Sequence, residues 1–287
     1  MNHPPAPRKR FGQNFLHDPA VLARIVAAIA PQRQDRMIEI GPGLGALTVP
    51  LLSRLDHLEV VELDRDLIPG LRALAPPERL TIHCADALNF DFAARAPAEG
   101  SLRIVGNLPY NISTPLLFHL LAQAHAIRDM HFLLQKEVVE RLVANPGSKR
   151  YGRLGVMLGA RAVARQLFTV GPGAFRPAPK VESAVVRIEP LARSRVPEPL
   201  EATFRRVVNQ AFSNRRKTLR RALAGILEPD DIAAADVDGG LRPEQLGIET
   251  FVALARAAYD RAGQQSGHTA ELPGPARSGD RGQRESA

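Results

Sequence analysis

Short, nearly continuous apolar runs alternate with segments of helical period along the first two-thirds of the chain. Met37–Ile40, Leu58–Leu63, Leu80–Cys84, Leu102–Val105 and Met130–Leu134 each read as a strand buried on both faces. A stretch able to hold a helix follows each of them, for example Leu44–Leu55 and Pro115–Ala124. That alternation predicts an α/β fold, a mostly parallel sheet with helices on both faces. Two later β-type runs, Ala162–Val170 and Ser183–Ile188, add an antiparallel edge and bring the sheet to seven strands. Pro190–Pro199 reads as a linker, and Leu200–Ala262 beyond it as helical throughout, a small all-α C-terminal domain. Within that region Leu241–Ala257 has a helical period. Pro243 is placed there to open a turn, and Leu246, Phe251 and Leu254 are core candidates. Residues 1–8 and 263–287 hold almost nothing apolar and are expected to be disordered. The predicted units are therefore a catalytic domain over 9–192 and a helical domain over 200–262.

Charge changes the picture more than composition does. The formal net charge is +8 and the isoelectric point about 10.3, so a polyanionic partner is expected. Nucleic acid fits better than membrane. No run approaches the ~18 uninterrupted apolar residues of a spanning helix, and the basic N-terminal stretch lacks the apolar core of a signal peptide. Between residues 203 and 222 lie Arg205, Arg206, Arg215, Arg216, Lys217, Arg220 and Arg221 with no acid among them. Solvated helix faces ordinarily mix both signs, so this run reads as a phosphate-binding surface. Arg8, Lys9 and Arg10 form a second basic cluster. The single cysteine, Cys84, excludes an internal disulfide and a Cys-rich zinc site, and the histidines show no ligand spacing, so no metal is expected. A reducing compartment, the cytoplasm, follows.

Candidate chemistry sits at the ends of the predicted strands. The first runs into Glu39-Ile40-Gly41-Pro42-Gly43-Leu44-Gly45-Ala46, where Gly41 and Gly43 allow the backbone to approach a ligand closely. Gly41-x-Gly43-x-x-Ala46 also fits a dinucleotide fingerprint, so the turn alone does not separate NAD from S-adenosylmethionine. Glu62 ends the second strand, where a carboxylate meets ribose hydroxyls in either cofactor class. Asp86 follows the third, where a carboxylate can accept from an adenine amine, although it also suits a helix N-cap. The fourth runs into Gly106-Asn107-Leu108-Pro109-Tyr110. An adenine amine is a poor nucleophile because its lone pair is delocalised into the ring. Two neutral acceptors, the Asn107 side-chain oxygen and the Leu108 carbonyl, would draw that pair out of conjugation and aim it. Pro109 fixes φ, and Tyr110 offers a flat face to an extruded base. The plain alternative is an Asn–Pro turn with a core tyrosine. An NAD-dependent oxidoreductase would explain the glycines and Glu62 but neither Asn107–Tyr110 nor the basic helices. A non-catalytic RNA-binding relative would have little reason to keep Glu62, Asp86, Asn107 and Tyr110 together.

Several motifs resemble the ribosomal RNA adenine dimethyltransferases, most closely the bacterial members that act on the small subunit. They are Gln13-Asn14-Phe15-Leu16, Glu39–Gly43, Glu62-Leu63-Asp64, Asp86-Ala87, Asn107–Ser113 and Phe175-x-Pro177-x-Pro179-Lys180-Val181-x-Ser183–Val186. The resemblance runs over roughly residues 8–262. It implies a Rossmann-like class I methyltransferase sheet and S-adenosylmethionine as cofactor. Contacts to that cofactor are implied for Asn14, Leu16, Gly41, Glu62, Asp86 and Asn107. Tyr110 and Phe175 would sandwich the target adenine. Two methyls would pass to each of two adjacent adenosines in a hairpin loop near the 3′ end of 16S rRNA, in an assembling 30S subunit, and the enzyme would act as a monomer. The same core motifs occur in enzymes that modify large-subunit rRNA, which stays open as an alternative.

Overall fold

The computed structural model describes residues 13–214 and 216–267. The basic cluster Arg8–Arg10, residue Arg215, residues 1–8 and most of the expected C-terminal tail lie outside those residues.

The strands are β1 (Phe15–Leu16), β2 (Arg36–Ile40), β3 (Leu58–Glu62), β4 (Leu80–Cys84), β5 (Leu102–Asn107), β6 (Ile127–Gln135), β7 (Ala162–Val170), β8 (Phe175–Arg176) and β9 (Ser183–Pro190). The helices are α1 (Pro19–Ile29), α2 (Thr48–Leu52), α3 (Ile68–Arg72), α4 (Ser113–Ala122), α5 (Lys136–Leu142), α6 (Arg153–Gly159), α7 (Glu201–Ser213), α8 (Leu219–Ala222), α9 (Pro229–Ala234) and α10 (Ile248–Gly267). Seven strands form one sheet in the order β4-β3-β2-β5-β6-β9-β7. β2 to β6 are parallel, while β9, between β6 and the edge strand β7, pairs antiparallel with both and makes that end of the sheet antiparallel. β1 and β8 form a separate antiparallel pair, with Leu16 opposite Phe175.

The central strands β2, β3, β5, β6 and β9 are largely buried on both sides because both sides are covered. Ile38, Ile104, Met130, Phe132 and Val186 pack on one face with Leu116, Leu117 and Leu120 of α4. Met37, Val60, Val105, Leu133 and Val185 pack on the other with Ile25 and Ile29 of α1 and Leu51 of α2. Period-2 alternation thus feeds two cores rather than a core and a solvent. Toward the amino ends of β5 and β6 a charge is buried among them. Arg103 holds Asp129 in a two-point pair at 2.9 and 3.0 Å and Asp35 at 2.7 Å. It also donates to the carbonyl of Ile29 at the end of α1. Breaking one partner of such a pair would leave a buried charge, at a cost of roughly 3–5 kcal/mol.

The helical region has its own core of Phe204, Val207, Val208, Leu219, Ile232, Leu246, Phe251 and Leu254. Tyr151, Val156 and Ala160, from before the linker, join it. Leu246, Phe251 and Leu254 are therefore buried as expected.

Several boundaries differ from the sequence-based expectations. The helix expected over Leu44–Leu55 is only α2, because residues 43–47 form a turn and Leu44 faces outward at 43% exposure. The one expected over Pro115–Ala124 begins at Ser113 and ends at Ala122. Leu200–Ala262 is not helical throughout: turns separate α7, α8, α9 and α10. Pro243 opens a short 3-10 turn over Pro243–Gln245, and the long helix starts only at Ile248. That helix runs on to Gly267, into the segment expected to be disordered. No described helix is long and apolar enough to cross a membrane.

Candidate active site

Strand order reverses between β2 and β5, where neighbouring chains leave the sheet in opposite directions and a crevice opens at the carboxyl ends. Every strand-end candidate gathers there. Gly41 and Gly43 follow β2, Glu62 ends β3, Asp86 follows β4 and Asn107 ends β5. The open cavity of about 140 Å³ lined by Arg33, Arg36, Asp56 and His57 lies instead at the amino ends of β2 and β3.

The glycine turn is shaped by what presses on it. Gly43 sits at φ +60°, and a Cβ there would meet the Phe15 ring at 3.0 Å. Gly106 has a different task, since a Cβ on it would collide with the carbonyl oxygen of Ile40 on the neighbouring strand. Gly106 thus lets β5 lie close to β2 at the switch point, while Gly43 leaves room for Phe15 of β1.

Glu62 is 7% exposed, and both of its oxygens are held by backbone. Asp64 N–H donates to Oε1 at 2.8 Å and Gly43 N–H to Oε2 at 3.2 Å. Burial raises its carboxyl above the ordinary range, and these amides oppose that rise. Each carboxylate oxygen still has a lone pair to offer a hydroxyl. Asp86 is half-buried, and its side chain closes a local turn by accepting from Leu88 N–H at 2.9 Å and Asn89 Nδ2 at 3.2 Å. Beneath the turn Glu39 is buried and accepts from Thr48 Oγ1 at 2.7 Å. Burial pushes its carboxyl up to about 8, with Thr48 opposing and Glu62 adding to the rise.

Asn107 is half-buried, and its Nδ2 donates to the Asn14 carbonyl at 2.9 Å. That bond leaves Oδ1 as the acceptor of the amide. Leu108 is buried, and its N–H bonds the Leu133 carbonyl at 3.2 Å. The carbonyls that follow are engaged within the turn, Pro109 with Ile112 N–H and Tyr110 with the Ser113 hydroxyl. Tyr110 is half-buried, its hydroxyl 2.7 Å from Oγ of the fully buried Ser183. Burial raises that phenol above its ordinary value.

Phe175 does not present an open face. It is 2% exposed and packs with Leu16, Val170, Ala174 and Val185 under the β1–β8 pair. Leu16 is likewise buried, opposite Phe175 in the β1–β8 pair.

Arg205 and Arg206 project from α7, whose opposite side buries Phe204, Val207, Val208 and Ala211. Arg216, Lys217, Arg220 and Arg221 are also exposed. Among the described residues none of these six pairs with a carboxylate.

Sequence reasoning missed Gln13, Asp64 and Ser183 as partners in the site. Gln13 Nε2 donates to Asp64 Oδ2 at 3.2 Å across 51 positions of sequence. No local pattern announces a pairing at that separation.

The sequence profile of a family described as ribosomal RNA adenine dimethylase matches residues 6–257. A ribosomal RNA small subunit methyltransferase A from Thiobacillus denitrificans is 58% identical over 248 residues, 86% of this chain and 96% of the relative. One of the same description from Acidithiobacillus ferrooxidans is 55% identical over 257 residues, 90% and 96% of the two chains. A dimethyladenosine transferase from Plasmodium falciparum superimposes with a TM-score of 0.72 at 25% identity, over 83% of this chain and 95% of its own. The 23S rRNA methyltransferase ErmE shares the fold, with a TM-score of 0.68 at 24% identity over 85% of this chain and 99% of its own.

Proposed function

This chain belongs to the ribosomal RNA adenine dimethylase family, and from that premise we propose how its residues divide the work of N6,N6-dimethylating adenosines in small-subunit rRNA. It is an S-adenosylmethionine-dependent methyltransferase. The crevice fits that cofactor. Glycines at positive φ admit its backbone-close part, and Glu62, already fixed by two amides, has lone pairs free for ribose hydroxyls. Asp86 would accept from the adenine amine, and the Asn14–Leu16 segment would close the side. When bound, S-adenosylmethionine supplies an electrophilic methyl on a sulfonium.

One observation carries the assignment of catalysis. The Asn107 Nδ2 donates to the Asn14 carbonyl, which orients the amide and turns Oδ1, its acceptor, away from that carbonyl. The Leu108 carbonyl supplies the second acceptor, since those of Pro109 and Tyr110 are engaged in the turn. Together they would take both N–H bonds of a target amine and localise its lone pair. The Tyr110 ring, anchored through Ser183, provides one stacking face. Phe175, opposite Leu16 in the β1–β8 pair, would have to turn its ring toward the crevice to provide the other. Arg205, Arg206, Arg216, Lys217, Arg220 and Arg221 would hold phosphates, with Arg8–Arg10 and Arg215 adding to them.

The proposed substrate is 16S rRNA in an assembling 30S subunit, modified at two adjacent adenosines in a hairpin loop near its 3′ end. The proposed enzyme is a cytoplasmic monomer. Incubation with unmethylated small subunits and methyl-labelled cofactor should place label in 16S rRNA; label confined to large-subunit rRNA would overturn the substrate assignment.

A further inference from the structure

We propose that Gln13 and Asp64 are a positioning pair that clamps residues 13–17 across the cofactor crevice and, through the Asn14 carbonyl, sets which atom of the Asn107 amide faces the target amine. The proposal rests on the catalytic role given to Asn107 above.

Asp64 is 3% exposed and joins three parts of the site. Its N–H donates to Glu62 Oε1, its Oδ1 accepts from Asp66 N–H at 3.2 Å, and its Oδ2 accepts from Gln13 Nε2. The next four residues after Gln13 each fasten to something different. The Asn14 carbonyl takes the Asn107 amide, and the Phe15 ring lies on Gly43. Leu16 pairs with Phe175, and His17 N–H bonds the Ala174 carbonyl at 2.9 Å. The segment is therefore a strap over the switch point, and Gln13–Asp64 is its fastening nearest the ribose-binding carboxylate.

The consequence for Asn107 is chemical. A side-chain amide turned by half a rotation exchanges an acceptor for a donor in nearly the same space. Only a neighbouring partner chooses between the two. The Asn14 carbonyl makes that choice, because a turned amide would set oxygen against oxygen. If the strap drifts, the amide loses its director and part of the population presents N–H groups to an amine that needs acceptors. Loosening Gln13–Asp64 should therefore lower the rate even with cofactor saturating, although neither side chain touches the reacting atoms.

The test is an exchange of donor and acceptor. Gln13→Glu sets two carboxylates against each other. Adding Asp64→Asn restores the bond reversed, while the new amide would keep an oxygen for Asp66 N–H. The readouts are S-adenosylmethionine affinity by calorimetry, single-turnover methyl transfer to small subunits at saturating cofactor, and melting temperature. Gln13→Glu should lose about tenfold in both affinity and turnover, with melting nearly unchanged. The double variant should return to within about threefold of wild type. Equal affinity and turnover in Gln13→Glu, or a double variant no better than Gln13→Glu, would overturn the pair. Affinity reads the clamp even if small subunits prove not to be the substrate, so the two failures are distinguishable.

Discussion

Glu62 and Phe175 show how burial alone does not assign a role. Glu62 is buried, yet its oxygens are aimed by Gly43 and Asp64 amides toward the crevice. Glu62→Ala should weaken S-adenosylmethionine binding by about 1.5–3 kcal/mol, the range of charge-assisted hydrogen bonds. Calorimetry on the folded variant with unchanged affinity would remove Glu62 from the site. Phe175, by contrast, is packed as a core ring. The family resemblance implied a stacking role for it, but in the β1–β8 pair, opposite Leu16, its ring is buried. Phe175→Ala should now cost roughly 3–5 kcal/mol of folding free energy. A denaturant midpoint that hardly moves would restore the open-ring view.

Among the elements, the strands were the most legible feature, because burial on both faces leaves short runs rich in Val, Ile and Leu, broken by only a few polar residues such as Glu39, Glu59 and His131. Helix starts were less so. Leu44 continues the apolar pattern of α2 but lies in the glycine turn, where backbone geometry overrides periodicity. The strand-end residues Gly41, Glu62 and Asn107 could be found because topology places carboxyl ends together. Gln13–Asp64 and Tyr110–Ser183 could not, since their partners lie 51 and 73 positions apart. The basic run was legible as composition, and α7 shows why it points outward: its apolar positions are consumed by the helical core. Replacing Arg216, Lys217 and Arg220 with Gln should weaken RNA-particle binding and make its salt slope shallower, by up to about one unit for each phosphate no longer neutralised. The affinity for free cofactor should stay as it is. An identical salt slope would reduce the run to a solvated surface.

For the whole molecule, two buried groups on the sheet give folding stability opposite pH slopes. His131 is 2% exposed on β6, and burial first, with nearby arginines adding, lowers it from 6.5 to about 4; Asp129 opposes this. Between those values the unfolded chain takes a proton that the folded chain refuses, so stability falls as pH drops from about 6.5 toward 4. Glu39 works the other way. Its proton is kept up to about 8 when folded but only to 4.5 otherwise, so its contribution is full below 4.5 and is lost as pH rises through 8. His131→Leu should flatten the acid side of the stability curve alone, as followed by urea midpoints across pH. An acid limb with unchanged slope would show that His131 does not set it.

Catalysis, as proposed, turns on one atom: the Asn107 oxygen, directed by the Asn14 carbonyl, as acceptor for an adenosine amine in small-subunit rRNA. The decisive experiment is mass-spectrometric mapping of unmethylated small subunits after incubation with S-adenosylmethionine and either wild type or Asn107→Ala. Wild type should yield two adjacent N6,N6-dimethyladenosines near the 3′ end of 16S rRNA, while the folded variant should act about 100- to 1000-fold more slowly at saturating cofactor. Near wild-type dimethylation by Asn107→Ala, or methyl groups on any atom other than the adenosine amine, would contradict it.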